Sequence, residues 1–198
     1  LTLVGLIYGV SKFINGIISD RTNARWHLAL GLGICVILNL VFGWSDRLSC
    51  LITGNESGPD FVNAMVVIMA ILLVLNNIFQ GCGAGPCQRL IVHWVQPKKL
   101  ATMTSIWNTS HSIGAGIVSV LCGYIIGTFG QWQLCFWIPA IITTFGVFFI
   151  IITLRDTPTS VGLPEIEETK TELDDNDSPE AFKAFLKKMV FKNPYIWI

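Results

Sequence analysis

Five apolar runs divide the first 154 residues: Leu1–Ile18, His27–Trp44, Phe61 to about Gly83, Met103 to about Phe129, and Trp132–Leu154. Each reaches or approaches the roughly 20 residues that cross about 30 Å of hydrocarbon as a helix rising about 1.5 Å per residue. The pattern predicts five membrane-spanning helices, and the start of a sixth at Tyr195. The chain begins without Met inside one apolar segment and stops as another begins, as expected of a fragment. No basic segment precedes Leu1, which argues against a signal peptide.

Composition agrees with lipid as the solvent: 52% of residues are hydrophobic and only 13% charged, where about 25% is usual. The net charge is zero, so bulk charge indicates no nucleic-acid partner. Six cysteines lie mostly inside the runs without C-x-x-C or His-rich spacing. Packing as small apolar residues is therefore expected, with neither a metal site nor a disulfide framework.

Lysine and arginine fix the orientation. Arg21 and Arg25 follow the first run, Lys98 and Lys99 the third, and Arg155 with Lys170, Lys183, Lys187, Lys188 and Lys192 the fifth. Loops 19–26, 95–102 and 155–192 are expected in the cytoplasm, because the opposite loops hold only Arg47. The segment 155–192 is the one long hydrophilic stretch. Within it, Ser178, Pro179 and Glu180 predict a helix start, and Phe182, Phe185, Leu186 and Met189 share a face among lysines. Such a helix either lies on the cytoplasmic leaflet or packs against the bundle.

Against this background Lys12 is the costly residue, a cation inside an apolar run at roughly 2.5 to 3.5 kcal/mol on insertion scales. It either faces a substrate path or snorkels, since the end of the run is six residues, about 9 Å, away. Tyr8, one turn earlier, can donate its hydroxyl to a ligand, fix the ammonium or pack. His111, near the middle of the fourth run, has Asn108 at i−3 and Trp107 at i−4. A histidine changes charge over the same range as a phosphoester's second ionisation, so proton and phosphate binding can favour one another. A neutral histidine bonded between helices is the alternative. Asn76, Asn77 and Gln80 point to interhelical hydrogen bonds, and Ser112, Gly116, Ser119 and Gly123 to a helix-packing stripe. Arg89 is expected at the cytoplasmic end as an interfacial or gating charge. No activated nucleophile or carboxylate in the runs completes a catalytic set, so an enzyme is not expected.

Gly16-x-x-x-Asp20-Arg21-x-Asn23-x-Arg25 resembles the cytoplasmic motif between the second and third helices of the major facilitator superfamily. There Gly16 would permit close helix approach, Asp20 would cap or pair with a neighbouring helix end, and the arginines would hold the loop inside. Tyr8-Gly9-x-Ser11-Lys12, Phe79-Gln80-Gly81-Cys82-Gly83 continuing to Arg89, and Trp107-Asn108-Thr109-Ser110-His111 are similar to the organophosphate:phosphate antiporters. Arg155-Asp156-Thr157-Pro158 and Gly162-Leu163-Pro164 extend the similarity over essentially the whole chain. Leu100-Ala101 stands where that family has Arg-Gly, and Ser112 where it has Asn, which leaves the substrate open.

The resemblance implies an all-α membrane protein: a superfamily N-terminal bundle over 1–154, a cytoplasmic central loop over 155–192 and a helix start over 193–198. It further implies exchange of a phosphorylated sugar or glycerol phosphate for inorganic phosphate, or a membrane sensor of hexose phosphate with the same fold. Lys12, His111, Tyr8 and Asn108 would bind substrate, and Gly16, Asp20, Arg21, Arg25 and Arg89 would serve structure and gating. The partners implied are a phosphorylated small molecule, inorganic phosphate, the bilayer and a C-terminal half carrying further arginines. No cofactor is expected. The compartment implied is the bacterial inner membrane.

Overall fold

A computed structural model describes residues 2–164, and the helix expected from Ser178 and the span expected from Tyr195 lie outside them. Among the described residues there are seven α-helices. These are α1 (Thr2–Ser19), α2 (Ala24–Phe42), α3 (Ser45–Thr53), α4 (Pro59–Gln80), α5 (Ala84–Trp94), α6 (Leu100–Phe129) and α7 (Leu134–Thr153). Four segments are long and apolar enough to cross a membrane: Ala24–Phe42, Pro59–Trp94, Pro97–Phe129 and Leu134–Thr153. Of α1, the stretch Val4–Ser19 is a shorter apolar helix.

Two elements depart from the apolar pattern. The third run continues past Gly83: a 3-10 turn at Gly81–Gly83 joins α4 to α5, and the segment reaches Trp94. Pro86 sits in the first turn of α5, where its missing N–H costs no helical bond. The expected outer loop between the second and third runs instead contains α3, a nine-residue helix held when Ser49 Oγ donates to the Phe61 carbonyl at 2.7 Å. Its mixed sequence, SDRLSCLIT, is too short for a periodic signal.

The packing is that of helices in lipid. Large apolar side chains point outward, including Phe13, Ile71, Phe145 and Phe149, while the buried residues are mostly small: Ala24, Ala29, Ala140, Ser11, Ser19 and Ser49. Small residues let backbones approach where no hydrophobic force drives helix association. Helix α2 lies centrally, packed most extensively on α7 and next on α4, and α1 packs on α4 and α5. Aromatic residues lock the α2–α7 seam. Phe42 stacks on Phe136 at 4.5 Å, and Trp137 Nε1 donates to the Leu40 carbonyl at 3.2 Å beside Gly43.

At the α1–α4 seam, buried Ser11 donates to the Ile78 carbonyl, and Asn15 Nδ2 donates to the Ser11 carbonyl at 2.9 Å and to its hydroxyl at 3.0 Å. Asn77 Nδ2 donates to the Leu73 carbonyl of its own helix, so that amide does not make the interhelical bond its pattern predicted. Among the described residues nothing packs on the small-residue stripe of α6. Ser112, Gly116, Ser119 and Gly123 are exposed, and a Cβ on Gly116 or Gly123 would meet nothing within 4 Å.

One tight crossing lies between α1 and α5. A Cβ on Gly85 would stand 3.0 Å from both Gly16 Cα and Ser19 Cβ, whereas one on Gly16 would meet nothing within 4 Å. Close approach is thus set by Gly85, while Gly16 supplies the smooth backbone opposite. Gly85→Ala is expected to cost about 1 to 3 kcal/mol through overpacking, read as a lowered thermal midpoint in detergent. Gly33→Ala, with nothing within 4 Å of its Cβ, should leave that midpoint unchanged or raised.

Candidate functional site

A cavity of about 520 Å³ opens between α2, α4, α6 and α7, with Tyr8 of α1 at its edge. Its wall is mainly apolar, with Tyr8, Asn39, Gln80, His111 and Thr143 as the polar contributors. Asn39 and Thr143 are held in place by their own helices: Asn39 Nδ2 donates to the Cys35 carbonyl at 2.7 Å, and Thr143 Oγ1 to the Pro139 carbonyl at 2.7 Å. A concave apolar wall with a few fixed polar groups is the usual form of a small-molecule site.

Lys12 stands behind Tyr8. Its ammonium lies 4.3 Å from the centre of the Tyr8 ring, a cation–π contact that steadies a charge which water would otherwise solvate. Both side chains are half-buried. The i, i+4 spacing of α1 sets their overlap, and of the two only Tyr8 lines the cavity. Across the cavity, His111 is exposed on α6, with its ring 6.4 Å from that of Trp107. Asn108 is exposed one turn away and is not among the cavity's lining residues. Of the four residues proposed to touch substrate, Tyr8 and His111 line the cavity, while Lys12 lies against the Tyr8 ring without lining it.

The remaining motif residues gather at the other end of α1. Arg89 Nη1 donates to the Ser19 carbonyl at 2.8 Å and the Thr22 carbonyl at 2.6 Å, while Nη2 pairs with Asp156 Oδ2 at 3.1 Å. Asp156 Oδ1 accepts from the Ala24 N–H at 3.0 Å. One guanidinium thus satisfies carbonyls left open where α1 ends, and one carboxylate satisfies an open N–H where α2 begins. Asn23 adds the ordinary N-cap, accepting from the Arg25 N–H at 3.1 Å. The capping expected of Asp20 falls to Asp156. Asp20 is exposed and lines a second cavity with Gly16, Gly85, Arg89 and His93. Arg21 is exposed, and Arg25 covers the Trp26 ring at 5.1 Å.

These bonds bring the end of α1, the start of α2, the body of α5 and the segment after α7 together. Trp94 Nε1 also donates to the Arg155 carbonyl at 3.1 Å. Arg21, Arg25, Arg89 and Arg155 accordingly share one face of the bundle, as their distribution between runs predicts.

The family model described as Major Facilitator Superfamily matches residues 1–198. The chain belongs to the major facilitator superfamily. It is an all-α, multi-pass membrane protein of that superfamily, similar over its whole length to the glycerol-3-phosphate transporter of Bacillus subtilis at 39% identity, covering 42% of that protein. It is 37% identical over 92% of its length to a probable hexose phosphate transport protein of Chlamydia trachomatis, covering 36% of it. It is 32% identical over its whole length to the membrane sensor protein UhpC of Escherichia coli, covering 42% of it. The superfamily chain therefore spans about two fifths of the length of these relatives. No solved structure gives a significant match.

Proposed function

We propose that this chain forms the N-terminal bundle of a carrier that exchanges a phosphorylated sugar or glycerol phosphate for inorganic phosphate. The observation that carries this is Lys12 on the Tyr8 ring at the edge of a cavity whose opposite wall holds His111. An ammonium is a compact charge with three donors, able to grip a phosphate oxygen and release it. His111 would favour the anion when protonated and loosen it when neutral. Rocking of residues 1–154 against a second bundle would expose the cavity to each side in turn, with 155–192 as the connecting loop and 193–198 opening the next helix. Arg89 and Asp156 would keep the cytoplasmic helix ends together during that motion. The bacterial inner membrane is the expected compartment, no cofactor takes part, and the substrate crosses chemically unchanged.

The complete protein in phosphate-loaded vesicles should take up labelled glycerol 3-phosphate or hexose 6-phosphate against unlabelled phosphate leaving. Absence of counterflow with every phosphoester tried would end the carrier assignment. The whole-length similarity to a membrane sensor supports a second role, a receptor for hexose phosphate. Saturable binding of the ester without flux would select it.

A further inference from the structure

We propose that Cys122 and Cys135 form a dithiol site in the cavity wall that takes a thiophilic metalloid or metal centre able to bond two sulfurs at once, trivalent arsenic being the case tested. The two residues sit on different helices, α6 and α7, and both line the cavity. Their contacts are reciprocal. Cys122 Sγ lies 3.8 Å from the Cys135 carbonyl oxygen, and Cys135 Sγ lies 3.7 Å from the Cys122 carbonyl oxygen. Each thiol is drawn to the backbone of the other residue, which brings both sulfurs to the same crossing point.

One half of this arrangement follows from a proline. In a regular helix the Cys135 carbonyl would accept from the N–H four residues on, but that residue is Pro139, which has none. The freed carbonyl is the one the Cys122 thiol approaches. The α7 side of the crossing is also held from behind. Gln133 Nε2 donates to Asp46 Oδ2 at 3.1 Å, Phe136 stacks on Phe42, and Trp137 bonds the Leu40 carbonyl. Cys135 is therefore fixed by its neighbours, and a bridge to Cys122 needs a side-chain rotation rather than a helix shift.

The remaining cysteines are arranged differently. Cys35 and Cys82 are each 7% exposed, and their thiols turn to separate acceptors, the Asn76 carbonyl at 3.9 Å and Asn15 Oδ1 at 3.2 Å. Cys50 lies on α3 and Cys87 on α5. Among the described residues no third His, Cys, Asp or Glu joins Cys122 and Cys135, so the site suits a centre satisfied by two sulfurs and disfavours tetrahedral zinc.

With phenylarsine oxide the chemistry balances without redox change. Both thiols lose their protons, two arsenic–sulfur bonds form, and the oxide oxygen leaves with the two protons as water. The adduct would stand about three turns, roughly 16 Å, along α6 from His111.

The complete protein in detergent, treated with phenylarsine oxide, is expected to gain an arsenical whose mass appears in the intact spectrum. It should survive excess 2-mercaptoethanol and be released by 2,3-dimercaptopropanol. Cys122→Ser and Cys135→Ser should each remove that adduct, whereas Cys35→Ser should keep it. On the unaltered protein, dibromobimane, which fluoresces once it has bonded two thiols, should join the peptides bearing Cys122 and Cys135, so the result does not depend on a variant folding. An adduct unchanged in both serine variants, or no join between those peptides, overturns the site. Neither readout uses transport, so failure here is separate from failure of the carrier assignment.

Discussion

Lys12→Met in the complete protein is expected to slow phosphate exchange by up to roughly a hundredfold while leaving membrane insertion intact. Among the described residues, Lys12 is the cation that lies against the ring of Tyr8, a residue lining the cavity. A charge-assisted hydrogen bond contributes about 1.5 to 3 kcal/mol, so losing the contact to a phosphate oxygen at the upper end slows exchange by roughly a hundredfold. Methionine keeps the length and apolar stem of lysine, and insertion should if anything improve, because a cation at membrane depth costs roughly 2.5 to 3.5 kcal/mol. Lys12→Arg retains charge but replaces a compact ammonium by a planar fork, and should restore only part of the rate. The measurement is counterflow at matched protein abundance in the vesicle membrane. Exchange at the unaltered rate in Lys12→Met would return Lys12 to the scaffold as a snorkelling residue.

Arg89→Gln should produce the largest loss of stability. The Arg89 and Asp156 side chains are only 21% and 14% exposed, so the pair is screened less than a surface ion pair. Glutamine removes the charge and takes a donor from the Ser19 and Thr22 carbonyls, leaving Ser19 with the Thr22 N–H and Asp156 held by the Ala24 N–H alone. Breaking a partly buried, multiply bonded charge costs about 2 to 4 kcal/mol. Asp156→Asn keeps an acceptor for Ala24 and should cost less, about 1 to 2 kcal/mol. The double variant should be milder than the sum of the two by at least about 0.5 kcal/mol, since each single change strands its partner. Thermal midpoints in detergent order the three proteins, and strictly additive losses would show that the pair is not coupled.

What could be read in the chain depends on distance along it. The long apolar runs and their K/R flanks are local signals, and they give α1, α2, α4, α6 and α7, though not the short α3, and the face on which Arg21, Arg25 and Arg89 meet. Features made by remote partners are different. Asp156 appears in sequence as part of a hydrophilic linker, yet its partners Arg89 and Ala24 lie 67 and 132 residues before it. Ser11 and Asn15 sit at i, i+4 within an apolar run, a polar pair whose spacing could have marked the α1–α4 seam. The glycines of α6 satisfy a packing pattern, but what they meet is decided by neighbouring helices, and here a Cβ on them would meet open space. Tyr8 and His111 come to one cavity because α1 and α6 flank it, which no spacing between residues 8 and 111 expresses.

The tie between Arg89 and Asp156 also sets a timetable for biosynthesis. During translation Arg89 emerges 67 residues ahead of its carboxylate. At roughly 5 to 20 residues per second, that is an interval of about 3 to 13 seconds. For most of it, α1, α2 and α5 are already made, with Arg89 able to reach the Ser19 and Thr22 carbonyls but without the carboxylate that links it to the start of α2. Asp156 thus acts as the closing stitch of a bundle whose other helices have waited for it, and a nascent chain halted just short of residue 156 would offer insertion and quality-control factors an open Arg89.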